Sequence, residues 1–155
     1  MPSFATNKGG FEMNNATFHA INGFFEQYAQ ALEQYDTKHL AMHYSLPCSM
    51  LADDSASQFT EFSKLEGFFN QGANFYKQFG IAHARPEVWN KQAISGRIAR
   101  AKINWQYYNA LNQPIYNCDY FYILKLDKND QWKIELSVSI NERERMDGWL
   151  KNGAK

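Results

Sequence analysis

The chain is predicted to be an α+β domain. A curved antiparallel sheet wraps around three helices from the N-terminal half, cone-shaped with an internal pocket. Two observations carry this expectation. Three segments before Gly80 carry apolar residues at three- and four-residue steps, and from Ile81 onward the period changes to two. Helical segments therefore precede the long strands instead of alternating with them, which segregates the helices to one face of a sheet. At 155 residues, 45% hydrophobic and 16% aromatic, the chain is long enough to bury one sizeable core.

Taken in order, residues 1–14 are polar and glycine-containing and read as a loose arm. In "NATFHAINGFFEQYAQALEQYD" the stripe Phe18, Ile21, Phe25, Tyr28, Leu32 and Tyr35 marks an amphipathic first helix with Asn15 as its N-cap. Asp36-Thr37 breaks it and caps a short second helix, "KHLAMHY", bounded by Pro47. "LPCSMLADDSASQFTEF" reads as a hairpin around Asp53-Asp54-Ser55. Ser63 and Glu66 form a capping-box pattern before a third helix, in which Leu65, Phe69, Tyr76 and Phe79 share a face and Gly80 ends the run.

Four strands follow. "RPEVWNKQAISG" carries Pro86 and belongs at a sheet edge. "RIARAKINWQYYNAL" and "PIYNCDYFYILKL" alternate, as does "QWKIELSVSI" after the "DKND" turn. The folded domain is read as 15–141, and the charged stretch 142–155 as a tail, either a short helix or a frayed end.

Lys plus Arg equal Asp plus Glu at 16 each, without a basic run, which argues against nucleic acid and anionic membranes as partners. The N-terminus lacks the apolar stretch of a secretory signal, no run is long enough to span a bilayer, and Cys48 and Cys118 match no metal or redox spacing. A cytoplasmic chain with two reduced core thiols is the expectation.

Asp119 lies inside the aromatic strand 114–126, where loss of water penalises a charge. Alternation puts Asn117, Asp119, Phe121 and Ile123 on one face and Tyr116, Cys118, Tyr120, Tyr122 and Leu124 on the other. The first set is expected to line the pocket, where burial favours a neutral, hydrogen-bond-donating acid. The tyrosine-rich set is expected to face outward and pack against a second subunit, giving a homodimer. The competing reading makes Asp119 a structural carboxylate held by a tyrosine hydroxyl, by Arg97 or Arg100, or by a helix-end amide.

Three segments carry a family resemblance: "FFEQYAQALEQYDTKHLAMHY", "SKLEGFFNQ" and "CDYFYILKLDKNDQWKI". With the element order, they resemble the nuclear transport factor 2-like superfamily, which includes SnoaL-like polyketide cyclases and steroid delta-isomerases. In the isomerase branch, a first-helix tyrosine and a protonated strand aspartic acid form an oxyanion hole beside an Asp base. The resemblance assigns the first two roles to Tyr28 and Asp119. The base position falls on Ala52, immediately before Asp53 and Asp54, which become the candidates for it.

His39 and His43 stand four apart on the second helix, with Asp36 nearby, a spacing compatible with a metal but more ordinary as a surface pair. No metal site is predicted. His43 alone is a candidate acid or base, and Trp105 and Trp89 are candidate pocket walls beside Asn117 and Phe121. No nucleophile constellation or phosphate loop is present, so no cofactor is implied. The expected function is binding of a small organic ligand, with cofactor-free acid/base chemistry of isomerase, cyclase or dehydratase type on a carbonyl-containing or cyclic substrate. The alternative is a non-catalytic ligand-binding or association module.

Overall fold

The computed structural model describes residues 15–153. Its elements run α1 (Asn15–Glu33), α2 (Thr37–Met42), β1 (Tyr44–Ala52), β2 (Ser55–Phe59), α3 (Phe62–Phe79), β3 (His83–Ala93), β4 (Ile98–Tyr108), β5 (Pro114–Leu126), β6 (Trp132–Ser139) and α4 (Glu142–Lys151). The proposed arm 1–14 lies outside the described residues.

The strands form one six-stranded curved sheet in the order β2-β1-β6-β5-β4-β3. β3 to β6 are the expected antiparallel meander. The sheet is not antiparallel throughout, because β1 joins β6 in parallel. That pairing is reached by the long return through α3 and the meander, a connection long enough for parallel strands. Pro86 sits on β3, an edge strand, where a missing N–H is tolerated.

Helix α1 lies against one face of this sheet, called the inner face below. Ile21 and Phe25 are fully buried, and the Phe25 ring meets those of Trp105 and Tyr122. Each such side chain contributes roughly 1.5–3 kcal/mol through removal from water. Asp36 caps α2 as expected: its Oδ1 accepts the His39 backbone N–H at 3.1 Å. Pro47 does not bound that helix but lies within β1. Helix α3 starts earlier than the Ser63 capping box suggested, after Glu61 and without a side-chain cap. Gly80 closes it in the left-handed conformation, φ 78°, that glycine adopts without strain.

Alternation along the strands then decides the faces. Cys118 pairs with Trp105, Tyr120 with Ile103, and Tyr122 with Ala101, so all of these share the inner face. Asn117, Asp119, Phe121 and Ile123 pair with Gln106, Asn104, Lys102 and Arg100 on the outer face. The expected assignment of the two faces is thus reversed. The tyrosines supply the larger apolar area, and area removed from water outweighs the polarity of a hydroxyl that can still find a partner.

The charged stretch after 141 takes the short-helix form of its two expected alternatives, as α4. Strand β6 stops pairing at Ser139, opposite Tyr120, and leaves Tyr116–Asp119 of β5 with a free edge. The chain leaving β6 covers that edge. Trp149 of α4 packs on Phe79 and Tyr116, and Met146 adds to the same core.

Candidate functional site

The free edge explains Asp119. Its backbone carbonyl accepts the Ile140 N–H at 3.0 Å, and its backbone N–H donates to Asn141 Oδ1 at 2.8 Å. The Asn141 side chain therefore takes the place of the next ladder partner. The Asp119 carboxylate accepts from Asn104 Nδ2 at 2.9 Å and from Asn141 Nδ2 at 2.8 Å, with an Arg145 guanidinium nitrogen 3.8 Å away. Burial would raise its pKa. The two amides and the Arg145 charge outweigh burial and hold the group below the usual carboxylate value. The expectation of a neutral acid in the pocket is overturned: Asp119 is an ionised acceptor on the outer face, away from the Tyr28 cavity. Arg97 instead bonds Asp130 and the Leu126 and Asp127 carbonyls.

On the inner face a cavity of about 660 Å³ lies between α3, α4 and the β1–β2 hairpin. Tyr28, Tyr44, Phe69, Trp105 and Tyr122 line one part, and Tyr76, Tyr107, Tyr120 and Glu142 another. Glu142 is the first residue of α4, where the helix N-terminus favours a negative charge. Three phenols donate to its carboxylate: Tyr76 at 2.6 Å and Tyr116 at 2.8 Å to Oε2, and Tyr120 at 2.5 Å to Oε1. Tyr107 lies 3.1 Å from the Tyr76 hydroxyl. Burial, reinforced by the Glu142 charge, pushes Tyr76, Tyr116 and Tyr120 far above the ordinary phenol value, so they remain donors.

The two faces of β5 are thereby used together. Asn141 grips Asp119 on the outer side of β5, and the next residue, Glu142, reaches Tyr120 on the inner side. Asp119 acts on the cavity only through this placement of α4.

Tyr28 lines the cavity, with its hydroxyl 2.8 Å from that of Tyr44. Trp105 also lines it, and its Nε1 donates to the Tyr122 hydroxyl at 2.9 Å. Burial raises the Tyr28 and Tyr44 phenols well above their ordinary value; the mutual hydrogen bond lowers Tyr28 and raises Tyr44 further.

The remaining predicted residues lie elsewhere. Asp53 and Asp54 form the tip of the β1–β2 turn, since Ala52 pairs with Ser55, and both are exposed. Asp54 reaches the cavity mouth, 3.8 Å from Arg143, whose Nε is 3.7 Å from Asp147. Asp53 does not line the cavity. Asn117 on the outer face accepts from Asn104 and Arg145, and Phe121 lies on that face beside Lys102. Trp89 is 51% exposed at a bulge in β3, its indole N–H donating to Glu87, so it is not a cavity wall.

His43 sits in a separate open groove of about 550 Å³ with Phe24, Trp132 and Lys133. Its Nδ1 donates to the His39 carbonyl at 2.7 Å, and its ring packs edge-on against Phe24 and Tyr28. Burial lowers its pKa despite that hydrogen bond. His39 turns to Asp36, 2.5 Å from Oδ2. Among the described residues no three His, Cys, Asp or Glu side chains converge as a metal site, and no helix is long and apolar enough to cross a membrane. Cys48 and Cys118 are both buried and unpaired.

Glu142 is the residue that the sequence reading missed. Its signal lies in "NERERMDGWL": Asn141 before an acidic first turn marks a helix start, and Met146 with Trp149 gives a three-residue apolar step.

Among curated proteins none matches this chain in sequence. Solved structures similar to it share the fold at low identity. A domain of unknown function with a cystatin-like fold from Nostoc punctiforme is 13% identical, with a TM-score of 0.67 over 90% of this chain and 86% of that one. An NTF-2 like protein of unknown function from Shewanella oneidensis is 10% identical, with a TM-score of 0.65 over 80% and 98%. A ketosteroid isomerase-like protein from Erwinia carotovora is 11% identical, with a TM-score of 0.62 over 82% and 97%. The sequence profile of the family described as NTF2-like protein (DUF6841) matches residues 17–142, nearly the whole of the described fold, and the chain belongs to that family.

Proposed function

We propose that the chain binds a small, largely apolar molecule in the inner-face cavity, with the polar end of that molecule at Glu142. The observation that supports this most is the single wall where one carboxylate and the hydroxyls of Tyr76 and Tyr120 meet aromatic surface. A mostly apolar cavity with a few convergent polar groups is the usual form of a small-molecule site. Tyr28 and Trp105 belong to the same lining and would hold the apolar body.

The catalytic form of this reading is cofactor-free acid/base chemistry on a carbonyl-containing or cyclic substrate. Glu142 supports it: among the described residues Oε1 accepts from one phenol only, leaving an acceptor position for a substrate proton. Tyr28, or its partner Tyr44, would donate to a developing oxyanion. In this form Asp119, Asp53 and His43 take no direct part, and Asp54 stands at the mouth. The non-catalytic form keeps the same cavity without turnover.

Copies of the chain are proposed to pair through the outer face, where Phe121, Ile123, Leu136 and Val138 are only half-buried. Sedimentation of the wild type as a dimer and of Phe121→Glu as a folded monomer would support this. A monomeric wild type would end it.

The binding proposal is tested with naphthalene-sized carbonyl compounds, followed by calorimetry on the wild type and on Ser139→Phe, which fills the cavity. Binding in the wild type that Ser139→Phe abolishes is the expected result. Equal binding to both folded proteins would move the site elsewhere.

A further inference from the structure

We propose that the occupant of this cavity carries a protonated amine on a ring-containing apolar body, and that Glu142 reads that charge. The inference rests on the reading of the cavity as a binding site and adds the chemical class of its ligand.

Among the described residues, Glu142 is a half-buried carboxylate with hydrogen-bond donors but no ion-pair partner. A carboxylate offers about four acceptor positions. Tyr76 and Tyr116 occupy Oε2, whereas among the described residues Oε1 accepts from Tyr120 alone. The donors are neutral phenols, so they disperse the negative charge without cancelling it.

No ion pair to Glu142 occurs among the described residues. The cationic side chain of the lining, Arg143, is turned to Asp54 and Asp147 at the mouth. The acidic lining residues Asp54, Glu142 and Asp147 therefore exceed the basic ones by two, since three acids face one arginine. An anionic ligand would meet repulsion, and a neutral one would leave Glu142 with its phenol donors and helix N-terminus but no opposite full charge in a partly desolvated site. An ammonium group supplies the missing charge and a donor for Oε1. The rings of Tyr76, Tyr107 and Tyr120 supply aromatic faces on which a cation is also stabilised.

The test is a matched series on one skeleton: 2-(1-naphthyl)ethylamine, its N-acetyl amide, the corresponding alcohol and the corresponding propanoate. Binding of each to the wild type, Glu142→Gln and Tyr120→Phe is measured by calorimetry at neutral pH. In the wild type the amine is expected to bind at least about tenfold more tightly than the amide or alcohol, as a charge-assisted contact requires. That preference should collapse in Glu142→Gln and persist in Tyr120→Phe, which keeps the carboxylate.

Amide, alcohol or propanoate binding as well as the amine would overturn the inference while leaving the cavity a binding site. An undiminished amine preference in folded Glu142→Gln would do the same. Binding by no member of the series would overturn both. Should Glu142→Gln fail to fold, the wild-type series still decides, because the acetyl group removes the charge without touching the protein.

Discussion

Asn141 holds Asp119 at two points: its side-chain oxygen accepts the Asp119 backbone N–H, and its amide donates to the carboxylate, both at 2.8 Å. A residue just past the last strand thus serves as the missing strand partner of β5. Because Glu142 follows directly, this contact also fixes where the cavity carboxylate stands.

Asp119→Ala should destabilise the fold by about 2–3 kcal/mol, since it leaves the Asn104 and Asn141 amides without their acceptor in a buried setting. Urea denaturation checks the magnitude. Asn141→Ala should be non-additive with it, with a coupling of about 1 kcal/mol or more in a double-mutant cycle.

The pH dependence of that contact follows from its direction. Asp119 titrates lower in the folded chain than in the unfolded one. Its contribution is therefore complete above roughly pH 4, the unfolded carboxyl value, and is lost as pH falls through the lower folded value. The urea midpoints of wild type and Asp119→Asn should converge in that acidic window.

His43 gives a second, separate window. Burial depresses its pKa, so the unfolded chain takes up the proton first. The stability arising from its neutral form should be full above roughly pH 6.5 and decline as pH falls below it. His43→Phe, which keeps a ring against Phe24, should flatten the melting temperature between about pH 6.5 and 5 relative to the wild type.

The tyrosines should resist ionisation. The chain has nine, and Tyr28, Tyr44, Tyr76, Tyr107, Tyr120 and Tyr122 are all pushed up chiefly by burial. Absorbance at 295 nm in the native protein at about pH 10.5 should show well under half of the phenolate signal reached after denaturation. A full native signal at that pH would mean that these hydroxyls are open to water.

The fold was legible because the apolar period changes from helical to alternating after Gly80 and stays alternating through the four long strands. The direction of β5 was not legible. Both of its faces carry aromatic residues, and alternation fixes which residues share a face without saying which face is covered. That depended on α1, whose Phe25 meets Trp105 and Tyr122. Asp119 was misplaced for a second reason: its partners follow from where β6 ends, and a strand end is a matter of pairing in space. Tyr28 and Trp105 were found because a helix stripe and a strand alternation both point to one core. Glu142 was hidden in a run of charges, because sequence alone does not say that it meets the phenols while Arg143 and Asp147 stand at the mouth.

The most direct measurement uses the indole N–H signals of the four tryptophans, which sample different faces of the molecule. Trp105 lines the cavity, Trp132 lines the His43 groove and Trp89 stands on the exposed β3 bulge. During titration with the naphthyl amine, the nitrogen–proton correlation spectrum should show the Trp105 indole moving first and furthest, with Trp89 and Trp132 unchanged. Movement of Trp89 or Trp132 with Trp105 still would contradict the assignment of the inner-face cavity as the binding site.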